Sequence, residues 1–343
     1  MPTPLPAAAT PSPSPVDTPT ALPSPTHTPT LPPVDTPASD VTTTPEPVDY
    51  QPLIDALLAY LNDRVYDRGF DLGIGFVDIQ TGQMISIRGD ERYHAMSSFK
   101  GPLAVQYFQL IEAGVIEELP EDEKHLLAML RVSYNQSTTC IMERVGGVPA
   151  FNDWLAAQGF SRQNNFVLSW QNWPCPPRED GFQPPADLED IDWRYSRGDE
   201  SLGLPGGGEL LHCPIPQLPC DKGFAPVELA EFYARLYRGE VITIEHRDRL
   251  LEMMRRGKDE TVFLIAMPED AAVSVYTKGG TFEATEVYRV HFFNEAGIVE
   301  TEAGAYALAM FMQRQPEWPG TWPMAQAARM IYDYFVAAHS AAP

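Results

Sequence analysis

The first 50 residues of the chain cannot form a packed core. Residues 1–50 are dominated by Pro, Thr, Ser and Ala, contain no Lys or Arg and include few large apolar side chains. Such a segment buries too little apolar surface to offset the conformational entropy that folding costs. We therefore predict an extended, disordered stalk over residues 1–50 and a folded domain over residues 51–343.

The composition of this stalk favours a location outside the cell. Repeated Thr-Pro and Ser-Pro steps favour polyproline II, a semi-rigid spacer, and are also typical of O-glycosylated stalks. The residues after Met1 show neither the basic nor the apolar region of a signal peptide. No later apolar run reaches the roughly 18 residues of a membrane span. The expectation of an extracellular or cell-surface protein therefore rests on the stalk.

The charge of the chain limits its partners. A formal net charge of -23 argues against nucleic acid and against an anionic lipid surface. Residues 51–343 are long enough for one large or two-lobed domain with a sizeable core. We expect a monomer that acts on a small molecule or on a peptidoglycan-like substrate.

The four cysteines are divided between a helix and a long loop. Cys140 lies on the apolar face of a predicted helix, so we expect a buried thiol. Cys175, Cys213 and Cys220 lie in a segment from Trp170 to Lys222 that is rich in Pro, Gly and Asp. In an oxidising compartment we expect one disulfide among these three, with its pairing left open.

Metal-ligand patterns are absent from the sequence. It contains no Cys-x-x-Cys and no His-x-x-x-His, and the spacing of His212, Cys213 and Cys220 matches none of the usual zinc patterns. We therefore predict neither a metal site nor another cofactor.

Hydrophobic periodicity predicts an α/β (α+β) fold with an antiparallel sheet, flanking terminal helices and a helical lobe. An interruption of the helices is expected near Ser133. The predicted helices cover residues 53–68, 97–114, 121–147 with that interruption, 151–158, 226–237, 246–256 and 324–338. The predicted strands lie on both sides of a turn at residues 80–82 and at residues 271–279, 286–293 and 305–312.

Three short motifs carry the predicted chemistry. Lysine occurs only five times in the chain, and Ser-x-x-Lys occurs once, at Ser97 and Lys100. Ser-x-Asn occurs once, at Ser133 and Asn135, and Lys-x-Gly occurs once, at Lys278 and Gly280. The order of the motifs and their places on predicted elements indicate one catalytic site.

The first motif has the spacing of a nucleophile and its base. Residues three apart on a helix lie about 5 to 6 Å apart at Cβ, so the amine of Lys100 can reach the hydroxyl of Ser97. Serine needs a neighbouring base to become nucleophilic. A lysine can serve if burial or a nearby positive charge, here that of Lys278, lowers its pKa from about 10.4.

The other motifs complete the predicted machinery. Ser133 can relay the proton to the leaving group, and Asn135 can donate to a substrate carbonyl. The backbone N–H of Ser97, at a helix N-terminus, and that of Thr281, directly after Gly280, are the predicted donors to an oxyanion.

A purely structural interpretation of each motif is also open. Ser97 and Asn135 can be helix caps, Lys100 a solvated charge in a first turn, and Lys278 a charge that protects an edge strand. For any single motif this structural interpretation is the simpler one. For all three motifs in this order the catalytic interpretation is favoured.

The pattern resembles the penicillin-recognising serine enzymes, and most closely the class A β-lactamases. The resemblance runs from about Leu53 to Ala338 and is sharpest at MSSFKGPLAV, at VSYNQSTTCIMERVGGVPAFNDWLAAQGF and at VYTKGGTF. It implies a two-lobed α/β fold, an acyl-enzyme and an amide-like or lactam substrate. The family's nucleophile, lysine base, relay serine, asparagine and second lysine correspond to Ser97, Lys100, Ser133, Asn135 and Lys278.

The sequence departs from the family pattern at three functional places. Gly279 replaces a Thr or Ser whose hydroxyl holds the substrate carboxylate, although Thr281 can compensate. Gln171 stands where class A enzymes place the glutamate that activates the deacylating water. The segment from residue 170 to 222 is an enlarged loop whose own carboxylates are alternative bases, namely Glu179, Asp180, Glu200 and Glu209.

The interval of 36 residues between Ser97 and Ser133 is shorter than is usual for class A enzymes. It predicts a reduced helical lobe.

These features favour a secreted or surface serine hydrolase that is acylated at Ser97 by a β-lactam or a related amide, with the deacylating group left open. The first alternative is a peptidoglycan D-Ala-D-Ala peptidase or esterase with the same acylation machinery. The second is a non-catalytic surface module that binds a partner through the acidic loop.

Overall fold

The computed structural model describes residues 47–167, 175, 211–212, 219–220, 222–282, 291–314 and 321–340. The described α-helices are α1 Gln51–Arg64, α2 Lys100–Glu112, α3 Asp122–Arg131, α4 Asn135–Arg144, α5 Gly147–Ala157, α6 Pro226–Tyr237, α7 Ile244–Met254, α8 Val262–Ile265 and α9 Trp322–Ser340. The described strands are β1 Asp71–Asp78, β2 Met84–Ile87, β3 Tyr93–His94, β4 Phe166–Val167, β5 Leu211–His212, β6 Pro219–Cys220, β7 Lys222–Phe224, β8 Arg255–Arg256, β9 Ser274–Phe282, β10 His291–Thr301 and β11 Gly304–Arg314.

The centre of the domain is a six-stranded antiparallel sheet with the order β2-β1-β11-β10-β9-β8. The first strand of the chain pairs with the last, since Gly73 lies opposite Phe311. Lys278 in β9 lies opposite Ala296 in β10. Strands from both ends of the sequence therefore belong to one sheet, and the long helical segment lies between them in the chain.

A separate hydrophobic core lies on each face of the sheet. The terminal helices α1 and α9 pack on one face, through buried side chains such as Leu57, Leu61, Ile331 and Phe335. The central helices α2 to α7 form a second core that reaches the opposite face, where α6 lies against β1 and β11. The predicted fold class, an antiparallel sheet with terminal helices and a helical lobe, is confirmed.

Some element boundaries differ from the predictions. The predicted strand over residues 286–293 is observed as β10, which begins at His291 and continues to Thr301; residues 283–290 lie outside the described ranges. The helix predicted to run to Arg256 ends at Met254, because Arg255 and Arg256 pair with β9 as a strand. Long-range pairing overrides local helical periodicity there.

The cysteine prediction is wrong in one respect. Cys140 of α4 is not a free thiol but forms a disulfide with Cys175, 35 residues further along the chain. Its apolar surroundings in the sequence gave no sign of a partner outside the helix. Cys213 lies outside the described residues, and the side chain of Cys220 does as well.

Among the described residues, no helix has both the length and the hydropathy that a membrane span requires.

The Cys140–Cys175 disulfide should contribute measurably to stability. Closing a 35-residue loop restricts the unfolded chain by an amount worth roughly 3 to 4 kcal/mol. We expect the double variant Cys140→Ala/Cys175→Ala to unfold at a temperature on the order of 5 °C lower, as followed by circular dichroism. A non-reducing peptide map that joins Cys140 to another cysteine would contradict this pairing.

Candidate active site

The amino group of Lys100 is the centre of the site. Lys100 begins α2 and is fully buried. Its Nζ donates to the carbonyl oxygen of Ser133 at 2.7 Å and to Oδ1 of Asn135 at 2.7 Å, and it lies 3.1 Å from Oγ of Ser133. The first two predicted motifs therefore meet at one atom.

Ser97 lies in a tight turn directly before α2. The helix begins at Lys100, three residues later than predicted, and the N–H of Lys100 donates to the carbonyl oxygen of Ser97 at 3.2 Å. Ser97 is half-buried. The nucleophile candidate thus precedes the helix that carries its candidate base by one turn.

Strands from two different sheets hold the segment that leads to Ser97. The amide Nδ2 of Asn294 in β10 donates to the carbonyl oxygen of His94, and the N–H of Ala95 donates to the carbonyl oxygen of Lys222 in β7 at 3.1 Å. Met96, immediately before Ser97, has a φ of +48°. A left-handed backbone at a non-glycine residue is strained, and such strain clusters at functional sites.

Ser133 lies in a second strained turn, between α3 and α4. Its φ is +61°, and the N–H of Tyr134 donates to the carbonyl oxygen of Ala128 at 3.0 Å. This geometry directs both the carbonyl and the hydroxyl of Ser133 to Lys100. The predicted interruption of the helices around Ser133 is confirmed and has this consequence.

The third motif reaches the same place from the sheet. Lys278 is buried in β9, and Gly280 lies so close to the turn before α2 that a Cβ there would come 2.4 Å from the backbone N of Ser97 and 2.6 Å from Cβ of Met96. Only glycine permits this approach. Because Thr281 follows Gly280 in the strand, the two backbone segments expected to supply oxyanion donors lie side by side.

The electrostatics of the site lower the pKa of both buried lysines. Burial lowers the pKa of Lys100 well below its ordinary value, and the positive charges of Lys278 and Lys222 lower it further. Burial likewise lowers the pKa of Lys278 to about 7, with a further lowering by Arg256 and an opposing effect of Glu295. Both effects favour the neutral, proton-accepting form of Lys100.

Three surrounding residues were missed by the sequence analysis. The charge of Lys222 in β7 lowers the pKa of Lys100. Arg256 in β8 donates to the carbonyl oxygen of Thr277 in β9, and Glu295 in β10 accepts from the hydroxyl of Thr277 at 2.6 Å. Lys222 is one of only five lysines, and the scarcity of lysine could have marked it as a candidate site residue. Arg256 and Glu295 belong to no motif, and only the strand pairing reveals them.

The predicted deacylation residues belong to a part of the chain that the structure does not describe. Gln171 and the alternative loop carboxylates Glu179, Asp180, Glu200 and Glu209 fall outside the described residues. Within the described ranges, no three His, Cys, Asp or Glu side chains come together as metal ligands would.

The chain belongs to the β-lactamase enzyme family, whose sequence profile matches residues 56–119 and 123–335. The predicted resemblance and the prediction of a β-lactamase-like serine hydrolase are thereby confirmed. None of the curated proteins matches the chain in sequence.

Solved structures of the same fold include β-lactamases and penicillin-binding proteins. A class A β-lactamase from Bacteroides cellulosilyticus is 15% identical with a TM-score of 0.61, and the match covers 85% of this chain and 100% of that one. PBP-A is 19% identical with a TM-score of 0.59 over 85% of this chain and 99% of that one. A PBP-A variant solved as an acyl-enzyme complex with penicillin G is 20% identical with a TM-score of 0.57, over 83% and 96%.

The close approach of Gly280 to Ser97 gives a direct test of the site. A methyl group in Gly280→Ala would push β9 away from the backbone N of Ser97, and losing one oxyanion donor costs roughly 100-fold in rate. We expect that loss in the rate at which a fluorescent penicillin labels the protein covalently.

Gly279→Ala is the matched control, because its Cβ would meet only the carbonyl oxygen of Asn294, at 3.3 Å. Equal labelling rates for the two variants would contradict the proposed approach of β9 to Ser97.

Proposed function

We propose that the protein is a secreted or surface serine hydrolase whose Ser97 is acylated by a β-lactam or a related amide. The observation that carries the proposal is the buried amine of Lys100, which contacts Ser133 and Asn135 and adjoins the turn of Ser97. Desolvation of a lysine next to other positive charges is the known means of making it a base near neutral pH.

Acylation begins with proton transfer from Ser97 to Lys100. The neutral amine has two N–H donors, which the carbonyl oxygen of Ser133 and Oδ1 of Asn135 can accept, and one lone pair that can receive a proton. As Oγ of Ser97 bonds to the substrate carbonyl carbon, its proton passes to Nζ. The resulting oxyanion is placed between the backbone N–H groups of Ser97 and Thr281.

The tetrahedral intermediate then expels the substrate nitrogen. The C–N bond breaks, and the leaving nitrogen takes a proton from the hydroxyl of Ser133, which regains one from the ammonium of Lys100 across 3.1 Å. Because Oδ1 of Asn135 faces Lys100, its NH2 group is directed to other partners and can donate to the substrate's amide carbonyl. The products of this step are an ester on Ser97 and a neutral Lys100.

Deacylation is the slow half of the proposed reaction. It requires a base that activates water, and an amide such as that of Gln171 cannot act as one. We therefore expect the ester on Ser97 to persist for longer than in a β-lactamase with a loop glutamate.

A D-Ala-D-Ala peptidase or esterase is the second candidate function. Gly279 has no hydroxyl with which to hold a substrate carboxylate, and the chain is similar in fold to PBP-A as well as to β-lactamases. The non-catalytic alternative, a surface module that binds a partner, does not explain why Ser97, Lys100, Ser133 and Lys278 are all retained.

Intact-protein mass spectrometry after mixing with benzylpenicillin tests the proposal. We expect the wild type to gain the mass of one drug molecule and to lose it slowly, and we expect Ser97→Ala to gain none. Lys100→Ala should acylate at least about 100-fold more slowly, because general-base catalysis supplies that much.

The absence of an adduct on the wild type, or an adduct that survives in Ser97→Ala, would contradict acylation at Ser97. If the wild type gains no adduct but releases D-Ala from a peptide ending in D-Ala-D-Ala, the peptidase function replaces the first candidate.

The pKa of Lys278 predicts how acylation depends on pH. Below about pH 7 Lys278 carries the charge that attracts an anionic substrate, and this charge is lost as the pH rises through its pKa of about 7. Acylation by benzylpenicillin, which carries a carboxylate, should therefore slow above pH 7. Acylation by a neutral ester of the same drug should not.

Lys278→Arg is the control for this pH dependence, since arginine stays protonated throughout the range. An alkaline decline that persists in this variant, or that the neutral ester shows equally, would contradict the role of Lys278.

A further inference from the structure

One arginine outside the three motifs connects two of them. Arg256 in β8 donates from Nε to the carbonyl oxygen of Thr277 at 3.1 Å. Its Nη1 donates to the carbonyl oxygen of Arg131 at 2.9 Å, and its Nη2 to that of Leu130 at 2.5 Å. Thr277 directly precedes Lys278, and Leu130 and Arg131 are the end of α3, two residues before Ser133.

A hydrogen bond in the opposite direction also joins the end of α3 to β8. Nη1 of Arg131 donates to the carbonyl oxygen of Arg255 at 2.5 Å. The backbone pairing of β8 with β9 covers only Arg255 opposite Tyr276 and Arg256 opposite Val275. The Arg256 guanidinium therefore reinforces a very short strand contact, and the two guanidinium groups together join β8 to the end of α3.

Arg256 also acts electrostatically on two buried groups, Lys278 and Glu295. Glu295, opposite Gly279 in β10, is buried and accepts from Thr277 at 2.6 Å and from the N–H of Val262 at 2.8 Å. Arg256 and Glu295 act on the pKa of Lys278 in opposite directions. Among the described residues, charged groups that act on the two site lysines include Lys222 of β7, Arg256 of β8 and Glu295 of β10.

We propose that Arg256 is a positioning residue of the acylation site that fixes the Ser133 turn relative to the Lys278 strand. Its charge and that of Glu295 also act on Lys278. This inference deepens the proposed function, but its electrostatic part stands without any catalytic activity. A guanidinium spreads its donors over three nitrogens and so reaches three carbonyl oxygens on separate segments, whereas all donors of an ammonium lie on one nitrogen.

The two parts of the proposal respond differently to substitution. Arg256→Gln removes a positive charge, so the pKa of Lys278 should rise, whereas Glu295→Gln removes a negative charge, so that pKa should fall. Arg256→Lys keeps the charge but loses the three-carbonyl bridge, so it should leave the pKa nearly unchanged and slow acylation. If Arg256 and Glu295 had only structural roles, the two variants would not shift this pKa in opposite directions.

Nuclear magnetic resonance of protein labelled with 13C-lysine measures these shifts directly. The chain has five lysines, and the signal of Lys278 is assigned by its loss in Lys278→Arg. We expect its pKa to move up by about one unit or more in Arg256→Gln and down by a similar amount in Glu295→Gln. The experiment needs no substrate, so it remains informative even if acylation at Ser97 fails.

Shifts in the same direction, or no shift in either folded variant, would overturn the electrostatic part. If Arg256→Gln does not fold, the Glu295→Gln shift decides it alone. For the positioning part, Arg256→Lys should be labelled by benzylpenicillin about tenfold more slowly than the wild type. Labelling at the wild-type rate would overturn that part.

Discussion

The burial of the Lys100 amine is the interaction on which the architecture of the site depends. An ammonium ion removed from water is costly unless it is paired or loses its proton. The carbonyl oxygens of Ser133 and Asn135 and the hydroxyl of Ser133 contact Nζ and carry no charge, and the charges of Lys278 and Lys222 that act on it are positive. The fold thus stabilises a neutral amine beside a serine, and a serine next to a neutral amine is a potential nucleophile.

The surrounding structure supports this arrangement at some energetic cost. Met96 and Ser133 both have left-handed backbone conformations, each costing on the order of 1 to 3 kcal/mol. The sheet provides the compensation, because its two buried faces hold β9 and β10 rigidly and Asn294 fixes the segment before Ser97. The strain lies where the two lobes meet, which is also where the proposed chemistry takes place.

Much of this site was predictable because its motifs are local. The spacing from Ser97 to Lys100 and from Ser133 to Asn135 is short, so the sequence alone specifies their chemistry. What the sequence could not give is pairing between distant segments. Arg256 contacts residues more than 120 positions away in the chain, and the Cys140–Cys175 disulfide joins a helix to a loop. The exact helix start at Lys100 rather than Ser97 depends on the turn that β7 and β10 impose.

The central claim is that the three motifs form one acylation centre, and a crystal structure of the protein soaked with benzylpenicillin at neutral pH tests it most directly. The account predicts electron density continuous from Oγ of Ser97 to the opened lactam, with the ester carbonyl oxygen between the backbone N atoms of Ser97 and Thr281. Covalent density on any other residue, or an intact drug bound in the cleft after long soaking, would contradict it.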